Sequence, residues 1–404
     1  MERFQPNAQL KIAITSDCNN NCPICLNQTT RSRNKAKALS LDTIYRLLDQ
    51  GAKLGMVGSY WTGGEPLVRF GDLLKAISYS KNKGLIPTLI TNGGLLAAEG
   101  NYKIANQDLL RASGIHDQTP EALVDQLRTA GLERVYFSVD NSHSTLASPA
   151  SKTFDLVPTE VLANGLKAFI QAGYANKHPL EAIGYRLRLT ATSSGDWRQA
   201  SKQILEDLFN KAGLGIKERL STTTYLCGSP QADIYLKHIE ISNTGDAATF
   251  DHDLLEDRSG EDLFTIACPH FKPTNQAYDK GKYHRDLYVD SDGLVYTCGN
   301  HAFAIGNIHK ESLQEIIDGV NHPKEDHEFG LSRRVFYILL YLSESQAIGN
   351  QAIGHALKMI HRANPDLTSH LRTQCGACNQ LGSNPKIQST LIDTFESTHG
   401  PSSY

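Results

Sequence analysis

The chain has 404 residues, 40% of them apolar and 21% charged, and its 40 basic and 43 acidic side chains leave a formal net charge of −3. This is an ordinary globular composition at a length that suits one large domain plus a smaller one, and the near-balance of charge gives no field to attract nucleic acid or a membrane surface. The opening MERFQPNAQLKIAIT lacks a signal-peptide pattern and the apolar run VFYILLYL (335–342) is too short to span a bilayer, so the expected setting is the reducing cytoplasm.

In chain order, β-rich runs fall at KIAITSD (11–17), MVGSYWT (56–62), PTLITN (87–92), RVYFSVD (134–140) and YRLRLTAT (185–192). Helical patterns separate them. After the first run, Ser40 is placed to cap a helix whose apolar face is Leu41, Ile44, Leu47 and Leu48. Further on, Thr159 is placed to cap a stripe of Val161, Leu162, Leu166, Phe169 and Ile170, and Asp196 precedes a helix burying Ile204, Leu205, Leu208 and Phe209. The stretch 95–126 is longer than one connection needs and is expected to add a helix or two. A sixth strand is expected at either 216–225 or 235–242.

Strand and helix alternating five or six times predict an α/β fold with a parallel sheet, a full or partial (β/α) barrel. The texture changes near residue 249, where DHDLLEDRSGED reads as a linker. LYVDSDGLVYTCGN then reads as a β-hairpin turning at Asp292-Gly293, and a helical stretch covers 332–362. The expected domains are 1–249, a (β/α)6 partial barrel, and 250–404, a smaller α+β unit.

Eight cysteines fall at 18, 22, 25, 227, 268, 298, 375 and 378. In a reducing compartment clustered cysteines more often bind metal or do chemistry than form disulfides. Cys18, Cys22 and Cys25 follow the first strand, and barrel enzymes place their chemistry at the C-terminal ends of strands. A [4Fe–4S] cluster takes one thiolate per iron, so three thiolates leave one iron for a ligand that is not protein. The alternative is a zinc site completed by a distant histidine; no histidine precedes His116.

The second strand ends in WTGGEPLV, where Gly63 and Gly64 allow close backbone approach and Glu65 offers an acceptor to an ammonium group. With the C-x3-C-x2-C loop, this pattern resembles the radical SAM superfamily, Ile24 standing where an aromatic is usual. The resemblance implies a cluster on Cys18, Cys22 and Cys25 whose open iron takes S-adenosylmethionine (SAM), with Gly63, Gly64, Glu65 and Pro66 holding the SAM amino group. It implies reductive cleavage of SAM to a 5′-deoxyadenosyl radical that abstracts hydrogen from a substrate, fed by a flavodoxin- or ferredoxin-like electron donor. It also implies SAM-pocket roles for Thr91 and Asn92, ribose or carboxylate contacts for Ser138 and Asp140, and pairing of Arg188 with the SAM carboxylate. For each of these the plain alternative is a turn residue or a satisfied polar group.

The segment from Gly293 through Cys298 to Gly306, Asn307 and Ile308 resembles the auxiliary-cluster region of the SPASM and twitch subfamilies. Cys268, Cys298, Cys375 and Cys378 would then hold one auxiliary [4Fe–4S] cluster, since no cysteine follows Cys378; four-cysteine zinc is the alternative. Cys227 belongs to neither set and is either an inert core residue or a hydrogen-atom donor to a substrate radical.

Relatives of this kind act on ribosomally made peptides, by crosslinking, epimerisation, decarboxylation or backbone excision, or on sugars, aminocyclitols and nucleotides. The inserts at 95–126 and 332–362 favour a peptide, with any leader-binding domain expected as a separate protein because few residues precede the first strand. A non-catalytic iron–sulfur or zinc regulator is the alternative from another class; it would need no GGEP and cleave no SAM.

Overall fold

The computed structural model describes residues 9–22, 25, 37–140, 143–147, 156–175, 186–192, 197–219, 224–229, 232–239, 286–297, 303–324, 326–344, 351–368 and 374–399. Six parallel strands form the wall of the larger unit in chain order: β1 (Gln9–Thr15), β2 (Gly58–Gly63), β3 (Ile86–Thr91), β4 (Arg134–Ser138), β7 (Arg186–Thr192) and β10 (Ala232–Ile239). Two short strands, β5 (Ser144–Thr145) and β6 (Val157–Pro158), pair on their own beyond β4. Of the two candidates for the sixth strand, the second is correct. β10 pairs parallel with β7, whereas β8 (Gly215–Arg219) and β9 (Thr224–Ser229) extend that edge antiparallel.

Residues alternate across the sheet, and the two faces differ in kind. One face carries Leu10, Ile12, Trp61, Leu89, Val135, Phe137, Leu189 and Leu236, all at 2% exposure or less. Helices cover it: α1 (Leu41–Lys53), α2 (Phe70–Asn82), α5 (Pro120–Ala130), α6 (Thr159–Gln171) and α7 (Trp197–Ala212), each packed on the next. The Ser40 hydroxyl caps α1 by accepting from the Thr43 N–H at 3.2 Å, as expected. Thr159 does not cap α6. Pro158 takes the cap position, and the Thr159 hydroxyl instead bonds Asp207 on α7. Asp196 lies outside the described residues. Residues 95–126 contain the short helices α3 (Gly100–Ala105) and α4 (Gln107–Ala112) before α5 begins.

The opposite face of the wall is more polar, carrying half-buried Lys11, Tyr60 and Tyr136 and buried Thr88 and Tyr288. The sheet continues past the expected domain boundary, which itself lies outside the described residues. Strand β11 (Leu287–Val289) pairs parallel with β1, and β12 (Leu294–Tyr296) and β13 (Ala304–Asn307) follow antiparallel, giving eleven strands in one sheet among the described residues. The Asp292-Gly293 turn joins β11 to β12, with Gly293 at φ +83°.

The hydrophobic core continues among α8 (Leu313–Asn321), α9 (Gly330–Glu344), α10 (Ala352–Ala363), α11 (Gln374–Ser383) and α12 (Pro385–His399). The run Val335–Leu342 belongs here: Val335, Ile338, Leu339 and Leu340 are fully buried against neighbouring helices. Arg333 joins the sheet to this unit from 3% exposure. Its Nε donates to the Ile305 carbonyl at 2.7 Å and its Nη2 to both Glu311 oxygens at 2.7 and 2.9 Å.

Candidate active site

The sequence motifs converge at the C-terminal edge of β1 to β4. Strand β1 ends at Thr15, and the chain runs directly into Cys18, which is 7% exposed; Cys22 and Cys25 are half-buried. The Gly63-Gly64 turn at the end of β2 is pressed against this loop. Gly64 N–H donates to Thr15 O at 2.7 Å and Glu65 N–H to Asp17 O at 2.8 Å. Both glycines are required there. Gly63 stands at φ +119°, and a Cβ on Gly64 would lie 2.0 Å from the Asp17 carbonyl oxygen.

Glu65 is completely buried and does not face outward as an open acceptor. Its Oε1 accepts from Leu67 N–H at 3.1 Å and from the Thr91 hydroxyl at 2.8 Å, and its Oε2 accepts from Asn92 N–H at 2.9 Å. The carboxylate therefore clasps the ends of β2 and β3 together. Burial pushes its pKa up to about 7, against the pull of the bonds from Asn92, Thr91 and Leu67. Three of the carboxylate's roughly four acceptor positions are thus taken within the protein.

Asn92 turns back to the cysteine loop. Its Oδ1 accepts from Gly94 N–H at 2.9 Å, and its Nδ2 lies 2.9 Å from Asn19 Oδ1 and 3.7 Å from Cys18 Sγ. Asn20, at 1% exposure, places its backbone N–H 3.4 Å from Cys18 Sγ and its Nδ2 3.8 Å from Cys22 Sγ and 3.0 Å from His143 O. Tyr102, from the insert helix α3, accepts from Asn19 Nδ2 at 2.7 Å. The Cys18 thiol is held well above the usual range by burial first, then by Cys22 and Glu65 beside it. A bound metal reverses that, since a coordinating thiol is deprotonated outright.

Beyond β4, the Asp140 carboxylate, 1% exposed, bonds His143 Nδ1 at 2.9 Å. Burial lowers the imidazole pKa, but Asp140 and Cys22 outweigh it and hold it well above its ordinary value. Asp140 thus acts on His143, while Ser138 stays half-buried at the strand end. Arg188 stands on β7 in register with Tyr136 and Tyr235. On the polar face, the Tyr60 and Tyr136 hydroxyls are 3.4 Å apart and Lys11 pairs with Asp286 at 2.6 Å. Strand β11 brings in Tyr288, whose phenol is held well above its usual range by burial first and by nearby Asp290 and Cys25. Strand β11 therefore reaches the edge of the cysteine loop.

Cys227 sits elsewhere. It pairs with Ile216 and Ile234, is fully buried, and shares the helix-covered face with Ile234 and Leu236. Burial pushes its thiol up to about 12 despite a bond from the Leu236 backbone. Of the other four cysteines, Cys268 and Cys298 lie outside the described residues. Cys375 and Cys378 fall on α11, with Cys378 8% exposed beside the core.

Among the described residues no three His, Cys, Asp or Glu side chains converge on a single ion position. A cluster with one thiolate per iron does not need such convergence, and the donor set of three neighbouring sulfurs, with N–H groups aimed at two of them, suits iron–sulfur binding. Asn19, Asn20, Tyr102 and the Tyr60–Tyr136 pair were not singled out from the sequence. The repeated asparagine of DCNNNC was the one visible signal.

Two family models match the chain: the radical SAM superfamily over residues 12–174, and an iron–sulfur cluster-binding domain of the SPASM type over residues 283–329. The first covers the cysteine loop, the GGEP turn and the ends of β3 and β4; the second contains Cys298. Among curated relatives, a PqqA peptide cyclase of Bradyrhizobium diazoefficiens is 30% identical over 33% of this chain and 34% of its own. Another from Gluconobacter oxydans is 36% identical over 22% of this chain and 25% of its own. A GTP 3′,8-cyclase of Clostridium perfringens is 29% identical over 32% of this chain and 41% of its own. The chain thus spans about a quarter to two-fifths of these relatives. The solved structure of BtrN with AdoMet and 2-DOIA aligns over 89% of this chain and 91% of its own at 13% identity, with a TM-score of 0.35. That of anSMEcpe with AdoMet covers 96% and 99% at 13% identity, with a TM-score of 0.36. Likeness at that level carries no argument. No helix among the described residues is long and apolar enough to cross a membrane.

Proposed function

The chain carries a radical SAM domain followed by an SPASM-type iron–sulfur domain, the make-up of a radical SAM enzyme, and on that premise we propose that it modifies a ribosomally made peptide. The observation that carries the SAM part is the junction of three strand ends. The cysteine loop, the Gly63-Gly64 turn and the Thr91-Asn92 turn are tied together by backbone bonds and by the buried Glu65 carboxylate.

Cys18, Cys22 and Cys25 would hold the [4Fe–4S] cluster, leaving one iron for the amino and carboxylate groups of SAM. When bound, the pair supplies a one-electron route into the sulfonium and so a carbon radical able to take a hydrogen atom from the substrate. The chain's own contribution is placement. Gly63 and Gly64 bring backbone within reach of the ligand, with Pro66 closing the turn; Thr91 and Asn92 fix the adjoining turn; Ser138 and Arg188 stand at neighbouring strand positions for the ribose and carboxylate. The polar face bearing Lys11, Tyr60 and Tyr136 provides hydrogen-bonding groups for a substrate. Cys268, Cys298, Cys375 and Cys378 would hold a single auxiliary cluster, as in twitch-type domains.

The peptide reading is supported by the PqqA peptide cyclases among the relatives. A flavodoxin- or ferredoxin-like electron donor completes it. The test is deuterium transfer from uniformly deuterated candidate precursor peptides into 5′-deoxyadenosine. Label in the nucleoside and a mass change in the peptide support the reading. Transfer from labelled sugars or nucleotides alone replaces it with the small-molecule alternative, and a chain that cleaves no SAM is a non-catalytic iron–sulfur protein.

A further inference from the structure

Three asparagines, Asn19, Asn20 and Asn92, pack around the cysteine loop at 1–7% exposure. An amide has a donor end and an acceptor end, and which end meets a sulfur decides what it does there. Here the neighbours fix the orientation. Asn92 Oδ1 faces Gly94 N–H at 2.9 Å, a group that only donates, so the NH2 end must be the one 3.7 Å from Cys18 Sγ. Asn20 Nδ2 faces the His143 carbonyl at 3.0 Å, a group that only accepts, so the same NH2 end lies 3.8 Å from Cys22 Sγ. The Asn20 backbone N–H adds a third donor, 3.4 Å from Cys18 Sγ. Asn19 ties the two together, its Nδ2 donating to Asn20 Oδ1 at 3.4 Å and Asn92 Oδ1 at 3.3 Å, and is itself held by Tyr102.

We infer that Asn20 and Asn92 are positioning residues that donate N–H···S bonds to Cys22 and Cys18 and thereby raise the reduction potential of the cluster these cysteines hold. The inference rests on the proposed cluster at this loop. Reduction adds negative charge that is shared with the cysteine sulfurs, and a donor aimed at a sulfur stabilises the charged state. The donors are amides, so the effect needs no titration. It also gives Asn92 a part different from direct contact with SAM, and gives the asparagine repeat of DCNNNC a reason.

The test uses the full chain reconstituted anaerobically, reading by EPR the cluster whose spectrum changes when SAM is added. Asn20→Ala and Asn92→Ala are each expected to lower its midpoint potential by about a tenfold change in the reduction equilibrium, or ~59 mV for one electron. Variants that bind iron and answer to SAM at an unmoved potential would overturn the inference, leaving the asparagines a packing role. A wild-type chain with no SAM-responsive cluster would instead overturn the proposed function beneath it. Should a variant not bind iron, the wild-type chain labelled with side-chain-amide 15N asparagine decides. Hyperfine coupling of that nitrogen to the reduced cluster is expected, and its absence would overturn the inference.

Discussion

Replacing Gly64 with alanine adds one methyl group at the tightest point of the site. The new Cβ would sit 2.0 Å from the Asp17 carbonyl oxygen, 2.6 Å from its carbon and 2.8 Å from the Ser16 carbonyl carbon, all backbone atoms with no rotamer to escape into. Relief needs the GGEP turn and the cysteine loop to part by more than an ångström. That breaks or lengthens the Gly64 N–H to Thr15 O and Glu65 N–H to Asp17 O bonds, now 2.7 and 2.8 Å. Overpacking costs about 1–3 kcal/mol and each lost bond about 0.5–1.5 kcal/mol. The expected destabilisation is therefore on the order of 2–6 kcal/mol, a large part of typical domain stability. Gly71→Ala is the internal control. Gly71 lies in α2 with nothing within 4 Å of its would-be Cβ, so alanine there is expected to stabilise by about 0.5–1 kcal/mol. Urea unfolding of both variants, with iron bound per chain after reconstitution, reads the difference. A Gly64→Ala chain as stable as wild type and binding as much iron would refute the reasoning.

The Glu65 carboxyl, with a pKa of about 7 folded against 4.5 in the reference state, contributes stability that is greatest below about pH 4.5 and is lost as the pH rises to about 7. Glu65→Gln removes that titration while setting an NH2 against Asn92 N–H, so wild type should exceed the variant at low pH, the gap shrinking by on the order of 3 kcal/mol towards pH 8 in urea titrations; a pH-independent gap contradicts the assignment. Arg333→Met removes the bonds to the Ile305 carbonyl and to half-buried Glu311, which keeps His327 at 3.3 Å, and should cost about 1.5–3 kcal/mol in the same assay, loosening the join between β13 and α9. Cys227→Ala is expected to lower stability by about 1 kcal/mol without changing substrate turnover; lost turnover with the fold intact would restore the hydrogen-donor role.

Much of the wall was legible because each parallel strand is a short β-branched or aromatic run and each covering helix shows an apolar stripe, as in α1 from Ser40 onward. The choice between 216–225 and 235–242 was not legible. Strand β8 is exposed along its whole length and lies at the sheet edge, and only pairing with β7 distinguishes β10 as the parallel member. Thr159 was misplaced as a cap because Pro158 supplies the entry geometry and frees the hydroxyl to bond α7. The GGEP and TNG turns could be placed at strand ends from sequence. The direction of the Glu65 carboxylate could not, because burial and its three donors come from different segments. The asparagine cage joins positions more than seventy residues apart, and no local spacing encodes that.

The central claim is that Cys18, Cys22 and Cys25 hold a cluster that binds and cleaves SAM. The direct measurement is 5′-deoxyadenosine formed in a single turnover by the anaerobically reconstituted, reduced chain, compared with Cys22→Ala. The account predicts nucleoside from the wild-type chain and none from the variant, with the variant's iron content lower by about four atoms. Nucleoside from Cys22→Ala at the wild-type level, or none from a wild-type chain carrying its iron, would contradict it.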